Sequence, residues 1–259
     1  MQKSKSPIKN PPVHIPGQSL DKQIQLIQDD RVMEPITSAF MITVLAALEW
    51  YRYYMEIPPA PRLYTFIALV AVWWTYRKTR KAYREIKDLK LGLAGERAVG
   101  QHLSETPAPL KYQIFHDIPG EGFNVDHVVI GPTGIFSIET KTRSKPTEGE
   151  PHIQYDGETI KVNGTSPDRN PVKQAKAGAS WLSEILEQST GKKFPVQPIV
   201  IFPGWFISPG PAHAEVWVLN EKAAPAFIQN ARHTIQPEDI SLITFHLKRY
   251  VISADEKKR

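Results

Sequence analysis

Residues 124–141, NVDHVVIGPTGIFSIETK, restrict the fold more than any other stretch of the chain. Two short runs rich in β-branched residues flank Gly131-Pro132-Thr133-Gly134, a pattern that predicts a β-hairpin. With residues 131–134 as the loop, Ile130 pairs with Ile135 and Asp126 falls opposite Glu139. Lys141 lies two residues beyond Glu139, so it shares that face. Directly opposed side chains have Cβ atoms only about 5 Å apart, and like charges there repel. A divalent cation between the two carboxylates, with a lysine alongside, resolves the conflict and supplies hydrolytic chemistry. A solvated strand face explains any one of these residues alone, but not all three together.

A second acid stands out. Leu93, Glu96, Gly100 and Leu103 are spaced three, four and three, which puts Glu96 inside the apolar stripe of a helix. Buried carboxylates are rare unless they are paired or bound to metal, although a glutamate at the helix edge reaches water. Gly92, Gly95 and Gly100 lower helix propensity and leave room for another backbone. Gln174 follows Asn170-Pro171, an N-cap with proline at the first helical position. Its amide suits a phosphate or an attacking water, and equally suits solvent. Thr140 offers a carbonyl as a further oxygen ligand. His102, His116, His127, His152 and His213 show no ligand spacing and read as ordinary surface or core histidines. Residues 145–169 are positioned to border a groove, without the aromatic–basic interleaving of a single-strand platform.

Around these residues the pattern is α/β. Helices are expected over 89–104, 221–231 and 237–250, with another running from Asn170 on a stripe of Val172, Ala175, Ala179, Leu182 and Leu186. Strands are expected over 112–118, 125–130, 135–141, 196–202 and 215–219, and a second hairpin over 153–162. The chain has no cysteine, which excludes disulfides, thiolate metal sites and cysteine catalysis. Its net charge of +5 equals that of residues 77–90 alone, where seven Lys/Arg face two Asp/Glu. The rest of the chain is therefore neutral overall, and the basic excess belongs to one segment.

The N-terminal part has another character. Residues 1–30 read as a polar, disordered tail, and residues 31–80 as a transmembrane helical hairpin. Its two uncharged runs, 36–48 and 63–76, are 13 and 14 residues long, short of the ~20 a span needs. Apolar character all round, aromatic clusters at the run ends and snorkelling by Arg62 and Arg77 favour the bilayer over a buried hairpin. Glu49 and Arg52 stand three apart, close enough to pair. Residues 81–90 read as a basic juxtamembrane helix; the charge of 77–90 predicts both termini and the soluble domain on the cytoplasmic side, with lipid contacts through residues 36–90.

Taken in order, GLAGERAVGQHL, VDHVVIGPTGIFSIETK, NPVKQA and VQPIVIFPG resemble the nuclease-related domain family, NERD, which is similar to the PD-(D/E)XK nuclease superfamily. The resemblance covers residues 91–205 and leaves 206–259 as an extension that completes the domain. It implies a restriction-endonuclease-like core, a central mixed sheet flanked by helices. It also implies Mg²⁺- or Mn²⁺-dependent cleavage of nucleic-acid phosphodiesters, DNA ahead of RNA, with a homodimer as one arrangement that cuts both strands. By position the helix glutamate is Glu96, the hairpin acid Asp126, and the E-x-K element Glu139 and Lys141, while Gln174 matches the family glutamine. Asp126, Glu139 and Glu96 become the metal carboxylates. Thr140 departs from the bulkier aliphatic residue common at its place, with its side chain on the other face. A non-catalytic nucleic-acid-binding or scaffold module at the membrane is the rival reading, favoured by the neutral charge outside residues 77–90.

Overall fold

A computed structural model of the protein describes residues 13–57, 60–105, 112–145, 151–167, 169–211 and 213–256. The chain divides into two compact units, one of Ser19–Leu91 and one of Met1–Gln18 with Gly92–Arg259.

The larger unit is built on a five-stranded mixed sheet. In chain order its strands are β1 (Gln113–Pro119), β2 (Asn124–Gly131), β3 (Gly134–Thr140), β6 (Val196–Ile201) and β8 (Trp217–Leu219). β1, β2 and β3 are antiparallel, whereas β3, β6 and β8 are parallel. The expected Ile130–Ile135 pair forms, and Gly131 pairs with Gly134 as well, so the loop is only Pro132-Thr133. A small sheet of β4 (His152–Tyr155), β5 (Ile160–Val162) and β7 (Phe206–Ile207) stands beside it in the order β5-β4-β7. β7 was not expected; two residues carry too little periodicity to be read.

Helices cover both faces of the large sheet. On one face Leu182 and Leu186 of α4 (Pro171–Thr190) and Ile243, Leu247 and Val251 of α6 (Pro237–Glu256) pack with Val128, Ile130 and Ile135. On the other, Val99 and Leu103 of α3 (Pro61–Glu105) and Ile228 of α5 (Ala224–Gln229) pack with Val129, Phe136 and Ile138. The start of α4 follows its sequence signals: Asn170 Oδ1 accepts from Val172 N at 2.9 Å, and Gly191 ends the helix in the left-handed conformation. Residues 206–259 contribute β8, α5 and α6, and so are part of this core.

Two expectations change in the N-terminal part. The polar tail read as disordered to residue 30 is structured from residue 13, and residues 1–12 lie outside the described residues. Val13 packs on the α4–α6 core, and His14 is buried, with Nδ1 2.7 Å from the Asp117 carbonyl and Nε2 2.7 Å from Asp255. Helix α1 (Gln18–Gln28) follows, burying Ile24 and Ile27, then a π-helical stretch, Asp29–Met33, and α2 (Glu34–Tyr54). The separate juxtamembrane helix 81–90 and domain helix 89–104 are stretches of one helix, α3. No glycine or proline occurs between Pro61 and Gly92 to stop it.

Within the smaller unit α2 and the start of α3 run antiparallel. Trp50 donates to Thr65 at 3.0 Å, Thr75 donates to the Pro35 carbonyl at 3.3 Å, and Arg31 pairs with Glu85 at 2.6 Å. Glu49 and Arg52 do pair, at 2.9 Å. Among the described residues one helical stretch, Gln18–Tyr54, is long and apolar enough to cross a membrane, where two had been expected. The run 63–76 is closed in by Arg62, Arg77 and Lys78, so a window of spanning length cannot avoid their charge.

Candidate active site

Four elements of the larger unit supply the five residues singled out above. Glu96 comes from α3, Asp126 from β2, Glu139 from β3, Lys141 from the residue after Thr140 at its end, and Gln174 from the first turns of α4. The β2–β3 register runs from Gly131–Gly134 to His127–Ile138, so Asp126 and Glu139 follow directly after its last pair.

Alternation along the strands does not by itself bring Glu96 to them. Val128 and Ile130 face α4, and His127 and Val129 face α3, so Val125 should face α3 too. Instead Val125 and its partner Ile118 both join the α4–α6 core. The slip falls at Asp126 and at Asp117, whose φ of +51° is left-handed. Such kinks re-aim side chains, and non-glycine residues held in this region cost of order 1–3 kcal/mol. Here the kink lies where acids carried on opposite sides of the sheet enter one electrostatic field.

That field is strongly negative. Burial and the charges of Asp117 and Glu139 push the Glu96 carboxyl up to about 7, against a smaller opposing pull from Lys141. Burial, then Glu139 and Glu96, push Asp126 well above the usual carboxylate range, opposed by the Thr140 amide and Lys141. Thr140 N donates to Asp126 Oδ2 at 2.6 Å, and Lys141 Nζ donates to Glu139 Oε1 at 2.5 Å. Among the described residues nothing hydrogen-bonds to Glu96, to Asp126 Oδ1 or to Glu139 Oε2. Gln174 and Lys141 line one cavity, and Gln174 Oε1 is buried without a partner.

The donor set suits a hard divalent ion. It is all oxygen, it holds more negative charge than Lys141 balances, and part of it is unbonded. Among the described residues no three metal-ligating side chains converge into a ready-made cage. Mg²⁺ does not require one, since it keeps several waters and takes one or two protein carboxylates.

Gly95 shows how closely α3 approaches. A Cβ there would lie 1.7 Å from Thr142 Oγ1, and one on Gly100 would lie 2.5 Å from Pro16. The close approach expected of these glycines is therefore real, though side chains rather than backbone make it. A Cβ on Gly17 would lie 2.3 Å from Leu93 and 3.4 Å from Glu96 Oε2, so residues 13–17 border the glutamate.

Sequence reasoning missed Asp117 and the 13–17 segment. Asp117 was available in principle: it lies across β1–β2 from Asp126, between the pairs His116–His127 and Ile118–Val125. Of the five histidines singled out, His116 and His127 are core residues and His213 is exposed. His116 and His127 are cross-strand neighbours with Nδ1 atoms 2.9 Å apart, and burial lowers His116 to about 4 and His127 well below the usual imidazole range.

Residues 91–203 match the family model described as NERD, nuclease-related domain. No curated protein and no solved structure matches significantly. The protein thus combines a mixed α/β unit, part of which matches the nuclease-related family, with an apolar helical unit.

Proposed function

We propose that the protein is a membrane-anchored, divalent-metal-dependent nuclease acting on nucleic-acid phosphodiesters, DNA ahead of RNA. The observation that carries the reading is the cluster of Glu96, Asp126, Glu139 and Lys141 within the segment that matches the nuclease-related family.

Asp126 Oδ1 and Glu139 Oε2 are the carboxylate oxygens left to hold Mg²⁺ or Mn²⁺, with Glu96 beside them. The ion would supply Lewis acidity toward a phosphoryl oxygen and make water a better nucleophile near neutral pH. The Thr140 amide fixes the Asp126 carboxylate by occupying its other oxygen. Lys141 keeps Glu139 in place and brings positive charge to the phosphoryl oxygens, where negative charge grows in the transition state. Glu96, with its carboxyl held at about 7, can take or return a proton at neutral pH. Gln174 Oε1 is an unfilled acceptor suited to orienting the attacking water.

The apolar unit is the proposed anchor. Leu45, Leu48, Phe66, Leu69, Val70 and Trp73 are exposed, a display that soluble monomers seldom carry. Arg77 over Trp73 and Lys78 over Trp74 form aromatic–cation pairs of the kind suited to a membrane interface. The basic residues 77–90 favour the cytoplasmic side for that end and for the nuclease domain.

The deciding test is cleavage of labelled DNA and RNA by the full chain in detergent with Mg²⁺. Asp126→Ala, Glu139→Ala and Lys141→Ala should be folded and inactive. Equal cleavage by wild type and variants sinks the reading. Metal-independent binding without turnover supports the scaffold alternative.

A further inference from the structure

Beside the acid cluster lies a cavity of about 240 Å³, lined by Lys141, Arg143, Pro167, Arg169, Pro171, Gln174 and Phe202. Its chemistry is opposite to that of the cluster. Phe202 and Pro171 are buried, while Arg143 and Arg169 are exposed at its edge. Lys141 is already paired with Glu139, but neither arginine forms an ion pair with a described carboxylate. The cavity is smaller than the ~300–1,000 Å³ that encloses a drug-sized molecule, so it does not swallow a nucleoside. A tetrahedral phosphodiester fits the space, and guanidinium groups match its oxygens two at a time.

We infer that Arg143 and Arg169 clamp a backbone phosphate of the nucleic acid in this cavity, a neighbour of the one presented to the acids, and so set the register of the strand. The inference rests on the nucleic-acid reading above and extends it to residues outside the acid–lysine set. It also answers a difficulty in the charge distribution. Outside residues 77–90 the chain is neutral overall, so a nucleic acid cannot be held by a broadly basic face. Two arginines without an ion-pair partner among the described residues, beside the acid cluster, supply the attraction where it is needed. Interactions of this kind position the backbone and carry no base preference.

The test is fluorescence anisotropy of a labelled oligodeoxynucleotide with the full chain in detergent, across a salt series with EDTA, so that binding is read without turnover. The Arg143→Gln/Arg169→Gln variant should bind at least tenfold more weakly. Its log K against log salt slope should be shallower by about 0.7–0.9 for each phosphate that the variant no longer neutralises. Arg143→Lys/Arg169→Lys should recover part of the slope, and Arg249→Gln on α6 should leave both quantities at wild-type values. Melting curves check the folding of each variant. Unchanged affinity and slope in the double glutamine variant overturn the inference, whether or not the wild type cleaves. Weakened binding in a protein that never cleaves upholds the clamp while the nuclease reading falls.

Discussion

Around Ile130, Ile135 and Leu182 the chain hides apolar side chains to 1% exposure or less, while in Ser19–Leu91 it leaves Phe40, Phe66 and Leu69 at 64–65%. The two units also differ in where they keep titratable groups. The sheet unit buries Glu96, Asp117, His116 and His127 among its apolar residues. The helical unit holds its Glu49–Arg52 and Arg31–Glu85 pairs near the surface. Helix α3 belongs to both and follows a different rule in each part: Leu69 and Trp73 are exposed, whereas Val99 and Leu103 are buried. Helix propensity carries the helix through, but it does not choose the surroundings. Those are set by what each stretch presents, an apolar exterior in one and a packed sheet in the other.

The strongest way to break this contrast is to charge the exterior of the helical unit. Met41→Asp and Val44→Asp each place a charge on an exposed part of α2, at a cost of about 3 kcal/mol apiece if that part lies near a bilayer centre. Flotation with lipid vesicles should shift the double variant from the membrane fraction to the soluble one. If the variant floats as the wild type does, the apolar exterior serves something other than lipid.

Next in size is the chemistry of the sheet unit. Lys141→Met should lower the cleavage rate by about 10²–10³-fold with little change in melting temperature, because it removes charge stabilisation from the transition state and leaves the core intact. A fall in melting temperature that matches the loss of rate would make Lys141 a structural partner of Glu139 instead.

Much of the sheet unit was legible in the sequence, for identifiable reasons. The Gly-Pro loop sets the β2–β3 register, so the pairs from Ile130–Ile135 to His127–Ile138, next to Asp126 and Glu139, follow from the loop position. Asn170-Pro171 marks the start of α4, and the 3.6-residue stripe names its buried face. What was missed depends on backbone detail or on distance along the chain. The positive φ of Asp117 breaks strand alternation without any turn residue to announce it. The docking of His14 against residues 117 and 255 is long-range and leaves no local pattern. The membrane reading was weakest where charges close in on an apolar run: 63–76, between Arg62 and Arg77-Lys78, does not qualify as a span.

The buried acids predict a pH dependence. Glu96 and Asp126 both have folded-state pKa values above their unfolded ones, so the folded state binds more protons. Stability should therefore fall as pH rises, for Glu96 between about 4.5 and about 7. Mg²⁺ requires the deprotonated carboxylates and should stabilise more at pH 8 than at pH 5, by about 3 kcal/mol at 100 times its Kd. Thermal melts at both pH values with and without Mg²⁺ measure this. Asp126→Asn should flatten the pH dependence and remove most of the metal shift; a full metal shift in that variant would place the ion elsewhere.

The smallest effect sharpens the contrast within α3 itself. Alanine is the better helix former by about 1 kcal/mol, so Gly95→Ala should stabilise if propensity decided the matter. A Cβ at that position would lie 1.7 Å from Thr142 Oγ1, and overpacking of this kind costs about 1–3 kcal/mol. The net expectation is a melting temperature lowered by a few degrees, given roughly 2–4 °C per kcal/mol at this chain length. Adding Thr142→Ala removes the clashing hydroxyl but leaves a Cβ 2.9 Å away, so rescue should be partial. Leu69→Ala, on the exposed stretch of the same helix, should leave the melting of the sheet unit unchanged. If Gly95→Ala instead melts higher than wild type, α3 has room to withdraw from residue 142, and the close packing assigned to its second half is wrong.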